Sequence, residues 1–190
     1  MKKSIFFLIL SARMLFACKQ ISETKTDEQN DTKPAIDSHN KAYVLHEREG
    51  EALLDGQGRT TYLKVSPETG GVHLSAGMTH MPKGSGTLIH RHDHTEEILF
   101  AHHGKGLAII NGDTVKITKG TTLFIPPGTW HGIENPDDSM SILYVTTPPG
   151  LEKLFRAIGS PPGMPLKKWT GQQMDSIEKE SDSKAKKNNK

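Results

Sequence analysis

The sequence predicts an all-β domain, a barrel or double-sheet jelly roll, closed off by one short C-terminal helix. Three observations carry that reading. The middle of the 190-residue chain is a series of short runs with alternating apolar residues. Tight-turn pairs separate the runs, with Asn111-Gly112 the strongest hairpin signal and Lys119-Gly120 another. Two stretches rich in histidine and glycine carry side chains at spacings that strands and turns would bring together.

Taken in order, the predicted strands are residues 72–76, 87–90, 97–101, 106–110, 115–117, 121–125 and 141–145. Each is short, β-branched or apolar in alternation, and bounded by Gly, Pro, Asn or Asp. A closed barrel or jelly roll hides the edges of such strands and leaves an interior lined by side chains. Pro148-Pro149-Gly150 breaks the last strand. Leu151, Leu154, Phe155 and Ile158 then recur at helical spacing until Gly159, which predicts an amphipathic helix packed on the barrel. The folded domain is expected over residues 42–170. It is preceded by a flexible tether at 18–41 and followed by a disordered polar and basic tail at 171–190, whose end, from Lys184 to Lys190, is lysine-rich without aromatic residues.

The first histidine stretch reads Gly84, five residues, His90-Arg91-His92, four residues, Glu97, six residues, Gly104. The second reads Gly120, five residues, Pro126-Pro127-Gly128, two residues, His131, three residues, Asn135. His90 and His92 lie two apart on an extended segment and so share a face. A turn returns the chain to Glu97 at the head of a strand, and the Pro-Pro-Gly turn precedes His131. Three imidazoles and a carboxylate suit one divalent transition metal ion, Fe, Mn, Ni, Co, Cu or Zn, and an octahedral ion so held keeps two positions open. His94, in the intervening turn, could replace His92 or Glu97 as a ligand. His102 and His103 are expected at the surface or rim. His73 and His80 lie on or near an early strand, where either could line the cavity. His39 and His46 carry no signal. By alternation Leu88, Leu99 and Phe124 are expected in the cavity wall.

Position for position, both stretches resemble the motifs of the cupin superfamily, with a fifteen-residue gap from Lys105 to Lys119 between them. The resemblance implies a single cupin barrel, or double-stranded β-helix, with His90, His92, Glu97 and His131 as metal ligands. The segment from Pro149 to Gly159 looks like the C-terminal segment of quercetinase-like, single-domain type 2 cupins. That likeness implies a metal-dependent dioxygenase acting on a small organic substrate, with Glu97 also in a catalytic role, and copies that can pair as homodimers. Two alternatives stay open: an envelope-anchored metal-containing module that binds or senses a small molecule without turnover, and a metal-dependent sugar isomerase or epimerase.

Composition excludes other classes. A formal net charge of +2 offers no basic field for nucleic acid. No Gly-rich phosphate loop, Gly-x-Ser-x-Gly elbow, His-Glu-x-x-His helix or Cys-x-x-Cys pair is present. At the N-terminus, Lys2-Lys3 and an apolar run read as an export signal over residues 1–17. The single cysteine, Cys18, follows Leu15-Phe16-Ala17, which resembles the lipobox of bacterial lipoproteins, although Arg13 interrupts the apolar run and Phe16 is bulky for its place. The expectation is a chain exported to a bacterial cell envelope and held at a periplasmic or outer-membrane surface by acyl chains on Cys18.

Overall fold

Alternation along the strands sets the architecture, because one face of each must be covered. The computed structural model describes residues 41–135 and 138–186. The export segment, Cys18 and all but the last residue of the tether lie outside the described residues. The described strands are β1 (Glu51–Leu54), β2 (Thr60–Val65), β3 (Ser75–Met81), β4 (His90–Arg91), β5 (Glu96–His103), β6 (Lys105–Ile110), β7 (Asp113–Thr118), β8 (Thr122–Ile125), β9 (His131–Glu134), β10 (Met140–Thr147) and β11 (Lys184–Ala185); the helices are α1 (Leu151–Ile158) and α2 (Gly171–Glu180). One sheet has the order β1-β2-β3-β10-β5-β8 and the other β11-β4-β9-β6-β7. All pairings are antiparallel. Two such sheets face to face make the all-β double-stranded helix expected, and none of the described helices is long and apolar enough to cross a membrane.

The inner faces supply the core. β5 turns Glu97, Leu99 and Ala101 inward, and β10 places Thr146, Tyr144 and Ile142 opposite them in register. Met81, Ala108, Ile117, Ile133 and Met140 complete the cluster from both sheets. The Asn111-Gly112 hairpin forms as predicted: Ile110 faces Asp113, and both turn residues have positive φ, 51° and 98°. Helix α1 also matches its prediction, ending before Gly159, and lays Leu151, Leu154 and Phe155 on the core.

Four expectations need correction. The early strand starts at Ser75 instead of residue 72, and Val72 is left exposed. Of residues 87–90 only His90 is strand, since Thr87 to Ile89 approach β9 as an irregular segment. The β1–β2 hairpin was not predicted at all. It turns on Asp55, whose carboxylate accepts the Gln57 and Arg59 amides, so Asp55-Gly56-Gln57-Gly58 was the legible signal. The described part of the expected tail, residues 171–186, is ordered: Thr170 and Gln173 form a reciprocal cap on α2, and β11 pairs with β4. Polar composition misled here because those residues are stabilised by hydrogen bonds to the barrel and little by apolar burial.

Candidate metal centre

The pairing of β4 with β9 places His90 directly opposite His131, and His92 follows β4 by one residue. All three therefore come from one sheet, while Glu97 reaches across from β5 in the other. The turn that delivers His131 is tied to the first motif, since the Gly128 amide donates to the His92 carbonyl at 2.6 Å. Gly128 has φ of 80°, in the left-handed region that favours glycine. Asn135 plays a supporting part: fully buried, it donates to the carbonyls of Met81, Pro82 and Asp138 and so fixes the end of β9.

One potential ligand atom from each of His90, His92, Glu97 and His131 lies within 4.8 Å of the others, and this is the one such group among the described residues. His92, Glu97 and His131 are almost wholly buried, at 2, 3 and 2% exposure. The outer nitrogens decide how the rings are used. Nδ1 of His90 donates to the Leu88 carbonyl at 2.8 Å, Nδ1 of His92 to the Asp182 carbonyl at 2.6 Å, and Nδ1 of His131 to the Thr129 carbonyl at 2.9 Å. A carbonyl can only accept, so each ring carries its proton on Nδ1 and turns Nε2 toward the common centre. This is the outer-sphere arrangement that orients imidazole ligands.

Two contacts bear on whether the four side chains suit a cation. Nε2 of His92 is buried with no hydrogen-bond partner, 3.7 Å from Glu97 Oε2. Nε2 of His131 stands 2.9 Å from the same oxygen. With Nδ1 already protonated, that second pair is two acceptors in contact unless a proton or a metal cation lies between them. The donor set therefore fits a metal ion. The electrostatics agree. Burial and the neighbouring His131 push His90 down to about 3, leaving it neutral. Burial alone would raise Glu97, but the imidazoles of His131 and His92 beside it favour its ionised form and hold it down at about 2. Burial would lower His92, yet Glu97 and Asp182 raise it above the ordinary histidine value.

Three of the four, His90, Glu97 and His131, line a cavity of about 340 Å³ between the sheets, closed on one side by Leu154 and Phe155 of α1, by Trp169 and by Met174 of α2. Its walls are mainly apolar, with Met81, Leu99, Ile133 and Ile142 contributing from the strands. Leu99 is in the wall as expected, whereas Leu88 is a rim residue and largely exposed. Phe124 is not in the wall. It points outward at 59% exposure because its neighbours Leu123 and Ile125 take the inward positions of β8. The hydroxyl of Tyr144, buried in the same cavity, has no protein partner. Sequence reading missed Tyr144, although its place two residues from Thr146, the cross-strand partner of Glu97, puts it on the inner face.

The other described histidines stay out of the centre. His94 is exposed and lies outside the cluster, with its amide held by Asp182. His73, His102 and His103 are exposed. His80 faces away from the cavity that Thr79 and Met81 line, and bonds Ser141 Oγ at 2.8 Å.

Comparison with known proteins agrees with this geometry. Residues 77–147 match the family model described as a cupin domain. An uncharacterized protein of Methanocaldococcus jannaschii is 39% identical over 80 residues, a match that covers 42% of this chain and 64% of that protein's length. Among solved structures, KdgF from a Halomonas species is similar with a TM-score of 0.51 at 15% identity, covering 57% of this chain and 94% of the other. An RmlC-like cupin from Shewanella frigidimarina gives 0.50 at 19% identity, covering 58% and 94%. A sugar phosphate isomerase of the cupin superfamily from Silicibacter pomeroyi gives 0.50 at 17%, covering 55% and 75%. At these identities the solved structures establish the shared fold.

Proposed function

We propose that this cupin domain is a metal-dependent, quercetinase-like dioxygenase whose substrate is a small, largely apolar molecule bearing an acidic hydroxyl. The observation that carries the proposal is the convergence of four donors, three of which line a mainly apolar cavity. A divalent transition metal held by His90, His92, Glu97 and His131 would supply a Lewis-acidic centre with positions for an ionised hydroxyl and for dioxygen. The Glu97 carboxylate, kept ionised, accepts the hydroxyl proton as the substrate enters. The Tyr144 hydroxyl, an unpaired polar group in the same cavity, orients a substrate oxygen, since leaving it unpaired costs about 1–3 kcal/mol. Leu99, Ile133, Ile142 and Phe155 hold water away from the reacting carbon atoms.

The same walls argue against a sugar. A polyhydroxyl ligand needs many hydrogen-bond partners, and a mainly apolar lining leaves its hydroxyls unsatisfied. The test is oxygen uptake by the full chain reconstituted with each candidate metal, against a panel of phenols and enols beside sugar phosphates. The expected result is dioxygen consumed one for one with a phenol or enol, with Tyr144→Phe losing turnover while keeping its metal. Conversion of a sugar without oxygen uptake would make the protein an isomerase. Tight binding without any turnover would make it a binding module.

The sequence of residues 1–18 supplies the cellular part of the proposal, that the domain works at the cell envelope of a bacterium, anchored through acylated Cys18. Cys18→Ser is expected to abolish labelling by radioactive palmitate. A normally acylated Cys18→Ser product would refute the anchor.

A further inference from the structure

The C-terminal segment that sequence reading treated as a tail reaches the metal centre. β11 extends the sheet beyond β4, with Lys184 opposite Arg91 and Ala185 opposite His90, and the Lys186 amide donates to the Ile89 carbonyl at 2.8 Å. Just before β11, the Asp182 carboxylate accepts the amides of Asp93 and His94 at 3.0 and 2.9 Å and the Thr95 hydroxyl at 2.8 Å. The Asp182 carbonyl in turn accepts Nδ1 of His92. Hydrogen bonds from residues 182–186 thus close continuously over residues 89–95, the stretch that carries two of the four donors. Ser183 and Ala185 also line the cavity.

We propose that Asp182 is a positioning residue of the metal centre: its carboxylate clamps the 93–95 turn so that its carbonyl fixes the ring of His92. The proposal rests on the metal-binding reading of the four donors. Without the clamp, the His92 ring is free to rotate or to shift its proton to Nε2, and one donor is lost. Asp182 has φ of 50°, a left-handed conformation that Asp adopts more readily than most other residues. The backbone and side-chain contributions can therefore be separated by substitution. Asp182→Gly relaxes the backbone and removes the carboxylate, Asp182→Ala removes the carboxylate under strain, and Asp182→Asn keeps one acceptor oxygen.

The experiment is Co²⁺ titration of the full chain against a competing chelator, with the cobalt absorption spectrum as a report of coordination geometry. Asp182→Gly and Asp182→Ala are each expected to bind Co²⁺ about 10–100-fold more weakly and to alter the spectrum, and Asp182→Asn to fall between them and the wild type. Wild-type affinity and an unchanged spectrum in Asp182→Gly would overturn the positioning role while leaving the metal site intact. Failure of the wild-type chain to bind Co²⁺ would remove the metal reading itself, a distinct outcome. Amide exchange on the metal-free wild-type chain guards against variants that do not fold. The Asp93 and His94 amides are expected to be protected, and rapid exchange at both would overturn the clamp.

Discussion

Among single residues, His90 and Glu97 make opposite choices for one purpose: one is held neutral and the other ionised, and both choices leave lone pairs for a cation. The same shifts dictate how the metal-free protein responds to acid. The unfolded chain takes up a proton at His90 near the ordinary 6.5, whereas the folded chain resists until about 3, so stability falls as pH drops through that window. Glu97 acts in the same direction, its contribution present above 4.5 and lost as pH falls toward 2. His92, raised in the fold, opposes them by adding stability below 6.5. The expected net result is a lower urea midpoint for the metal-free protein at pH 4.5 than at pH 7.5, with a shallower pH dependence in His90→Ala. An equally steep dependence in His90→Ala would contradict the neutral His90. These four donors were legible in the sequence because metal ligation demands particular side chains at particular spacings. The outer partners were not. They are backbone carbonyls, which every residue has, and one of them lies 90 positions away from its histidine.

At the scale of elements, the motif glycines show which local features are fixed by geometry. Gly84, Gly104, Gly120 and Gly128 all have φ between 78° and 90°. At Gly104 a Cβ would also run into the carbonyl of Ser139, while at Gly128 it would meet nothing within 4 Å. Gly128→Ala is therefore expected to cost about 1–2 kcal/mol from backbone strain alone. Gly104→Ala is expected to cost more, about 3 kcal/mol or above, as the β5–β6 turn is forced away from β10. Chemical denaturation of both variants checks the order, and equal costs would show that the close approach to Ser139 is not maintained. Strands with strong alternation and a turn pair, such as β6 and β7, could be placed from sequence. β4 could not, because its two residues owe their extended state to partners on either side, β9 and β11, and to no propensity of their own. Phe124 went wrong for a related reason: a four-residue strand has two faces, and only tertiary packing tells which is the inner one.

For the whole molecule, a two-sheet barrel joins a donor carboxylate from one sheet to three imidazoles from the other and covers them with helices and the C-terminal segment. That arrangement could hold a metal ion, and on the function proposed here the choice between oxygen and sugar chemistry follows from it. The fold class and the donor set were readable because they depend on periodicity and spacing. The cavity wall formed by α2 and β11 was not, because it depends on hydrogen bonds between distant segments of polar sequence. The most direct measurement is elemental analysis of the full chain, purified without chelator, beside His90→Ala, His92→Ala, Glu97→Ala, His131→Ala and His94→Ala. The expected result is close to one transition metal per chain in the wild type and His94→Ala, with strong loss in the other four. A wild-type chain that carries no metal and cannot be reconstituted, or metal lost only in His94→Ala, would contradict the assignment of the centre.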